Sequence, residues 1–436
     1  MHLYSAASAR PLAAALAGVF EAALPDPLTP EWVAVPSDGM RRWLSLELAG
    51  RLGASAPGAG DGIASNIVRA YPGDLRSAVL AIDRPTDQAD PWRIERMVWP
   101  VLEAIVDADA AALPTGLKVL ESQREGASLY AKGRRIADLF DRYHLYRPHM
   151  VRQWARDRLV DGTGRALDEH SVWQARLWRR VRERIDEPSP PERLPAVLRR
   201  LHAGDQLLDL PPRLVLFGFT LLPAGAFLDL ARAVAASREV HVFMLEPTHL
   251  DPEPLLGANP RPEDGSVRLR SSDATASLAH HPLLRSWGRL HRETALQLAD
   301  VQADGVPVRL VGDAGPPPLP STLLGRLQHD LRANRPPAAT LADDPGDDSV
   351  QFHACFGATR QVEVLRDALL HLLARPGSDL TEDDVVVLCP ALDRFAPLIE
   401  AAFGRSAPAT TTPPPDATSV SVTASSPGRH GAPALR

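Results

Sequence analysis

At 436 residues the chain is long enough for two or three domains with cores of their own. Its hydrophobic share of 44% and charged share of 23% are those of a globular protein, and a formal net charge of −6 excludes a strongly basic nucleic-acid binder at the level of the whole chain. Only Cys355 and Cys389 are cysteines, which excludes a disulfide framework and fits a reducing cytoplasm; neither a signal peptide nor a bilayer-spanning segment is read.

In chain order, His2–Tyr4 reads as a short strand, residues 11–24 as an Ala/Leu helix, and Trp32–Val35 as a second strand followed by a helix from Met40 to about Leu52. Strand–helix–strand–helix is the pattern of a parallel sheet with crossover helices. The Gly/Ala/Pro-rich run 53–62 reads as a loop. From about Asp74 to Leu201 the periodicity is nearly all helical. Asp90-Pro91-Trp92 is expected to start a helix, with Asp as N-cap and Pro in the first turn. Residues 131–200 carry 17 Lys/Arg against 10 Asp/Glu, a local basic excess. Such a region is either a DNA-facing surface or a solvated helical face whose charges pair locally.

The most informative stretch of that block is ADLFDRYHLYRP at 137–148. Leu139, Phe140, Tyr143 and Tyr146 recur at helical spacing and define one apolar face, with Asp138, Asp141 and Arg142 between them. Pro148 disfavours helix at Arg147, so the helix is expected to stop there and run into an extended segment. A guanidinium at a helix end, beside carboxylates and tyrosines, can bind phosphate or base edges; the plainer reading is a helix C-terminus with a surface Asp–Arg cluster.

The sheet pattern resumes with RLVLFGF at 213–219, a helix over 224–236 and EVHVFML at 239–245. Residues 248–279 read as a long loop. A helix is expected over 282–301 with Leu283, Leu284, Trp287 and Leu290, then a strand at 308–311 and a helix at 323–331. After a linker with two acidic pairs, Asp343-Asp344 and Asp347-Asp348, a second α/β unit is expected: strands at 350–355 and 384–389, helices at 360–373 and 394–403. The spacing of those acidic pairs matches no calcium loop. Residues 405–436 lack apolar periodicity and are expected to be disordered.

The familiar catalytic motifs are absent from the sequence. A nucleotide-gripping P-loop needs a lysine after glycine. The chain's two lysines, Lys118 and Lys132, follow leucine and alanine, and the segment after the first strand, Ser5–Arg10, has neither glycine nor lysine. The strand at 214–219 does not end in an acidic pair for magnesium. There is no GxSxG elbow and no HExxH. His353 and Cys355 alternate on one expected strand, so a thiol–imidazole pair is conceivable, although strand cysteines are mostly core. His280-His281 reads as surface, and the tryptophans at 92, 173, 178 and 287 as core, with base stacking the less common alternative.

Several motifs together resemble the RecC subunit family of the RecBCD (exodeoxyribonuclease V) complex. They are VAVPSDGMRRWLSLELA at 33–49, GIASNI at 62–67, ADLFDRYHLYRP at 137–148, WQARLW at 173–178, RLVLFGFTLLP at 213–223, HPLLRSWGRL at 281–290, VQFHACFGATRQVEVLRDALL at 350–370 and DVVVLCPALDRFAPLIEAAFG at 384–404. The resemblance covers about residues 1–404 and stops after Gly404, so the chain is expected to be a truncated, N-terminal part with an out-of-family tail. It implies an α/β fold: a superfamily-1 helicase-like parallel-sheet domain that is degenerate and lacks the P-loop, split by an all-helical insertion, and the beginning of a second α/β domain. The expected bounds are 1–60 and 206–335 for the split sheet domain, 61–205 for the insertion, 336–349 for a linker and 350–404 for the incomplete second domain.

The resemblance further implies a non-catalytic subunit that holds RecB-like and RecD-like partners. Such a subunit splits double-stranded DNA ends, channels single-stranded DNA and scans one strand for a recombination hotspot. ATP and Mg2+ would be used by the partners, with no cofactor or metal in this chain, and the location would be cytoplasmic. Strand-reading positions carry over to Asp138, Leu139, Asp141 and Arg147, and to Pro36, Asp38 and Arg42. The last three depart from the family's amide and hydroxyl residues, and Val68-Arg69-Ala70-Tyr71-Pro72 replaces its Phe-Pro run, which leaves the hotspot sequence open. The alternatives are a non-functional fragment or an independent ATP-dependent helicase or nuclease.

Overall fold

The computed structural model describes residues 1–26, 28–53, 60–83, 89–107, 128–204, 210–221, 226–261, 268, 270–312, 321–337, 346–377 and 380–404. Lys118, the Asp343-Asp344 pair and the tail at 405–436 lie outside the described residues. The chain falls into a large unit, built on a sheet and a helical block, and a small one that holds the last two helices.

The large unit opens with β1 (His2–Ala6), α1 (Ala9–Phe20), β2 (Glu31–Ala34), α2 (Asp38–Ala49), β3 (Ile67–Ala70) and α3 (Pro72–Leu80). The helical block follows: α4 (Ile94–Val106), α5 (Leu129–Tyr146), α6 (Pro148–Ala155), α7 (Val172–Ile185) and α8 (Pro190–His202). The chain then returns to the sheet through β4 (Arg213–Phe219), α9 (Ala226–Val234) and β5 (Glu239–Leu245). Next come α10 (Pro252–Ala258), α11 (Pro282–Ser286), α12 (Arg289–Ala303), β6 (Val308–Leu310) and α13 (Leu323–Arg332). The six strands among the described residues pair in parallel in the order β3-β2-β4-β5-β1-β6. The fold is therefore α/β, as expected.

Side chains alternate across the sheet and bury both faces. Tyr4, Val33, Val35, Val215 and Phe243 meet Leu12 and Leu16 of α1 and Leu44 and Leu48 of α2. On the other face Leu3, Ala34, Leu214, Val242 and Met244 meet α3, α8, α9 and α12 through residues such as Val79, Leu201, Leu230 and Leu298. Gly218 sits at φ 76° where the β4–β5 register shifts between Phe217 and Phe219. That extra residue turns Phe217 to the first face and Phe219 to the second, a reversal that strict alternation forbids. The bulge needs the left-handed conformation, which glycine adopts without strain.

The sequence reading places no strand at 67–70, yet β3 pairs with β2 along its whole length, so the sheet takes a strand from beyond residue 60. IVRA is short, and its mixed burial hides the period of an edge strand. The independent helical core is also narrower than 61–205. It runs from Trp92 to Ile185, whereas α3 and α8 pack onto the sheet.

Other boundaries shift for local reasons. Asp90 accepts from the backbone N–H of Trp92 at 2.9 Å, but the helix begins at Ile94. The helix expected over 282–301 breaks at Gly288, which caps α12, and Trp287 is 82% exposed where core was expected. His281 is buried and caps α11 by accepting from the N–H of Leu283 at 3.2 Å, not the surface residue expected. Residues 248–279 contain α10 and two short 3-10 turns in place of a plain loop.

In the small unit α14 (Ala358–Leu373) and α15 (Leu392–Phe403) form and pack against each other. The expected strands at 350–355 and 384–389 do not form: neither segment pairs with another strand among the described residues. Phe352 is 94% exposed and Leu388 is 88% exposed. The apolar pattern of these segments fits a strand, but a strand exists only when a neighbour takes its hydrogen bonds. His353 pairs with Gln351 at 3.1 Å and the Cys355 thiol points to the His353 carbonyl at 3.8 Å, so no thiol–imidazole pair forms.

Candidate nucleic-acid interface

The junction of α5 and α6 carries the first set of candidate positions. Ser128 caps α5 by accepting from the N–H of Ala131 at 3.2 Å. The helix stops at Tyr146, as Pro148 requires, with Arg147 at φ −135°, ψ 42°. The expected extended segment is absent: Pro148 occupies the first position of α6, where its missing N–H costs no hydrogen bond. Arg147 is thus the hinge between two helices.

The inner face of α5 is Gly133, Ile136, Ala137, Phe140 and His144. Tyr146, counted on the apolar face from the sequence, is 40% exposed. His144 is buried, accepts from Trp178 Nε1 at 3.0 Å, and meets the Trp92 ring edge-on. Burial drives its imidazole pKa down to about 3, and the Arg76 charge pushes the same way. Tyr143 donates to Gln174 Oε1 at 2.5 Å and lies edge-on to Trp154. These contacts fix the rotation of α5 and so the direction its polar edge presents.

On that edge Asp138 lies 3.5 Å from Arg134, one turn back, and Asp141 accepts from Arg76 of α3 at 3.1 Å. Burial raises the Asp138 pKa, against the pull of Arg134 and Arg142. Leu139 is half-buried beside them. Arg147 is exposed, and Gly162 leaves room for its side chain: a Cβ there would come within 3.2 Å of the Arg147 Cδ. Arg76, which orients Asp141 from 65 residues away in sequence, carried no sequence signal.

The second set lies at the C-terminal edge of the sheet, where open parallel sheets bind ligands. Pro36 and Arg42 are exposed, and Asp38 is the first residue of α2. Val35 donates to the Ala70 carbonyl at 3.0 Å, so the ends of β2 and β3 lie together. Tyr71 then leads into α3, whose Arg76 reaches Asp141, so α3 is the physical link between the two sets. Many charges of the basic block pair locally, as one expectation held: Arg179 with Asp157, Arg182 with Glu192, Arg184 with Asp107 and Arg193 with Asp90.

At the same sheet edge the turn between β1 and α1 is only Ala7 and Ser8. The Ser5 hydroxyl donates to the buried Glu246 carboxylate, which follows β5, and His249 lies 3.9 Å from Glu246. Burial works to raise the Glu246 carboxyl, and the nearby His249 together with the Ser5 hydrogen bond outweighs it, so its pKa is depressed. No described helix is long and apolar enough to cross a membrane.

The chain is thus an α/β protein with a helical insertion, polar residues along one edge of α5, and a two-residue turn beside the buried Glu246 at the C-terminal edge of its sheet. The family model of the RecC N-terminal domain matches residues 1–334, and the chain belongs to that family. It is 35% identical over 415 residues to the RecBCD enzyme subunit RecC of Mycolicibacterium smegmatis, across 93% of this chain and 34% of the relative. The Mycobacterium tuberculosis subunit of the same name is 34% identical over 414 residues, across 93% of this chain and 36% of its own. That of Escherichia coli is 29% identical over 429 residues, across 88% and 36%. The chain thus spans about a third of the length of these relatives.

Proposed function

We propose that the chain works as a DNA-binding subunit of a RecBCD-type helicase and exonuclease in double-strand break repair and recombination. Its sheet is a helicase-like core that grips no nucleotide. The observation that carries this reading is the two-residue turn after β1, backed by the Ser5–Glu246 pair. A phosphate-cradling loop takes about eight residues with glycines and a lysine. Here a buried carboxylate stands at the same edge, and negative charge repels a triphosphate.

ATP and Mg2+ therefore act on RecB-like and RecD-like partners, in the cytoplasm, and this chain contributes DNA contacts. Asp138, Leu139, Asp141 and Arg147 read a single strand, with Pro36, Asp38 and Arg42 beside them at the sheet edge. Hydrogen-bond donors and acceptors set in a fixed row suit base edges better than a bare charge would. An independent ATP-driven motor is disfavoured by the same turn. Titration with a fluorescent ATP analogue and Mg2+ tests the reading: no saturable binding is expected, and saturable binding that Glu246→Ala alters would overturn it.

A further inference from the structure

Helices α6 and α8 pack against each other and leave an open groove of about 410 Å³. Arg152 and Arg156 enter it from the α6 side and Arg199 from α8, over a floor that includes Ala155 and Pro195. Elsewhere in the block Arg134, Arg179, Arg182, Arg184 and Arg193 each hold a carboxylate. Arg152, Arg156 and Arg199 hold none among the described residues. Glu192 also lines the groove, but its two oxygens are taken. One accepts from Arg182 at 3.2 Å, and the other accepts from the Ser189 N–H and hydroxyl, both at 2.7 Å. Burial, and then the Arg156 charge, hold the Arg152 guanidinium below its ordinary value. The fold thus gathers three guanidinium groups in one concavity whose one carboxylate, Glu192, is already engaged by Arg182 and Ser189.

We propose that this groove grips the phosphodiester backbone of single-stranded DNA without regard to base sequence. The inference rests on the DNA-binding reading and adds an anchoring site to it. Guanidinium groups present planar paired donors that match phosphate oxygens. An open concavity of about 410 Å³ takes the phosphates of one strand and is too small to seat a duplex. The groove and the reading edge share α6: Arg147 precedes its first residue and Arg156 follows its last. Eight residues of helix span about 12 Å, a distance one strand covers in a few nucleotides. A strand held in the groove would therefore present neighbouring bases to Arg147.

The test uses the full chain, a short fluorescent oligothymidylate and a mixed-sequence strand of equal length, titrated across a range of KCl. Arg156 and Arg199 are exposed, so the double variant R156Q/R199Q leaves the core untouched, and an unchanged melting temperature verifies that. Each lost phosphate contact lowers the slope of log affinity against log salt by about 0.7 for single strands. The double variant is expected to lose about 1.4 units of slope, equally for both strands, while R156K/R199K keeps it. If the wild-type chain binds with a steep slope and R156Q/R199Q binds identically, the groove proposal fails and the DNA-binding reading stands. If wild type shows no salt-sensitive affinity, the reading falls and the groove with it. If poly-glutamate displaces the strand at equal charge concentration, the groove is a site for an acidic protein and the proposal is overturned.

Discussion

Arg147 carries the sharpest residue-level expectation. Its side chain is exposed at a helix junction, and the one hydrogen bond the guanidinium makes among the described residues is a long one to the Tyr146 carbonyl at 3.5 Å. Truncation to alanine is expected to weaken single-strand binding by about 1–3 kcal/mol, roughly 5- to 150-fold, if it reads a base edge. Melting temperature should not change, and equal affinity in fluorescence anisotropy would remove Arg147 from the interface. His144 sets a pH dependence. Its native pKa of about 3 lies below the ordinary imidazole value of 6.5, so between these pH values the unfolded chain binds the extra proton. Stability is thus full above 6.5 and falls as pH drops toward 3. At about pH 5 the loss is on the order of 2 kcal/mol. The variant His144→Gln, although less stable at neutral pH, should show a flatter fall in melting temperature between about pH 7 and pH 5; a parallel fall would exclude His144 as the source. Nothing in the sequence alone reveals this. Tyr146 and His144 both fit a helical apolar stripe, and only the neighbouring Trp92 and Trp178 decide which one is covered.

At the scale of elements, β2, β4 and β5 are tied at the N-terminal edge of the sheet by one guanidinium. Arg213 of β4 donates to Glu31 of β2 at 2.8 Å, to Glu239 of β5 at 3.0 Å, and to the Ala22 carbonyl at 2.9 Å. Burial raises the Glu31 carboxyl and Arg213 pulls it back. Arg213→Met would leave Glu31 in its half-buried place without a counter-charge, at a cost of about 3–5 kcal/mol. Urea denaturation should show that loss, and Glu31→Gln in the same background should recover part of it. No recovery would mean that packing, not charge, is what Arg213 supplies. Helices were legible where caps and breakers stand in the sequence: Pro148 ended α5 as expected, and Gly288 marks a break that periodicity alone passes over. Buried strands such as RLVLFGF were legible from their continuous apolar run, because both faces are covered. β3 was not, and neither was the failure of 350–355 and 384–389 to pair, because both outcomes depend on which backbone lies alongside.

For the whole molecule, net charge says little about where the charges sit. A chain at −6 concentrates its basic residues in one helical block, and much of that excess is spent on internal ion pairs. What the sequence showed was the block and the family motifs. The convergence of Arg152, Arg156 and Arg199 needed the packing of α6 on α8, although the spacing of the first two on one helix face was open to view. The absence of a lysine after glycine was also legible, and the two-residue turn after β1 gives it a structural counterpart. The central claim joins these halves: a helicase-like scaffold that holds DNA and turns over no ATP. The most direct measurement is the affinity of the full chain for a labelled duplex end with a single-stranded tail, taken between about 50 and 200 mM KCl with and without ATP. Affinity should fall steeply and linearly with log salt, be the same with ATP present, and release no phosphate. Binding that ignores salt, or that appears only with ATP and consumes it, would contradict the claim.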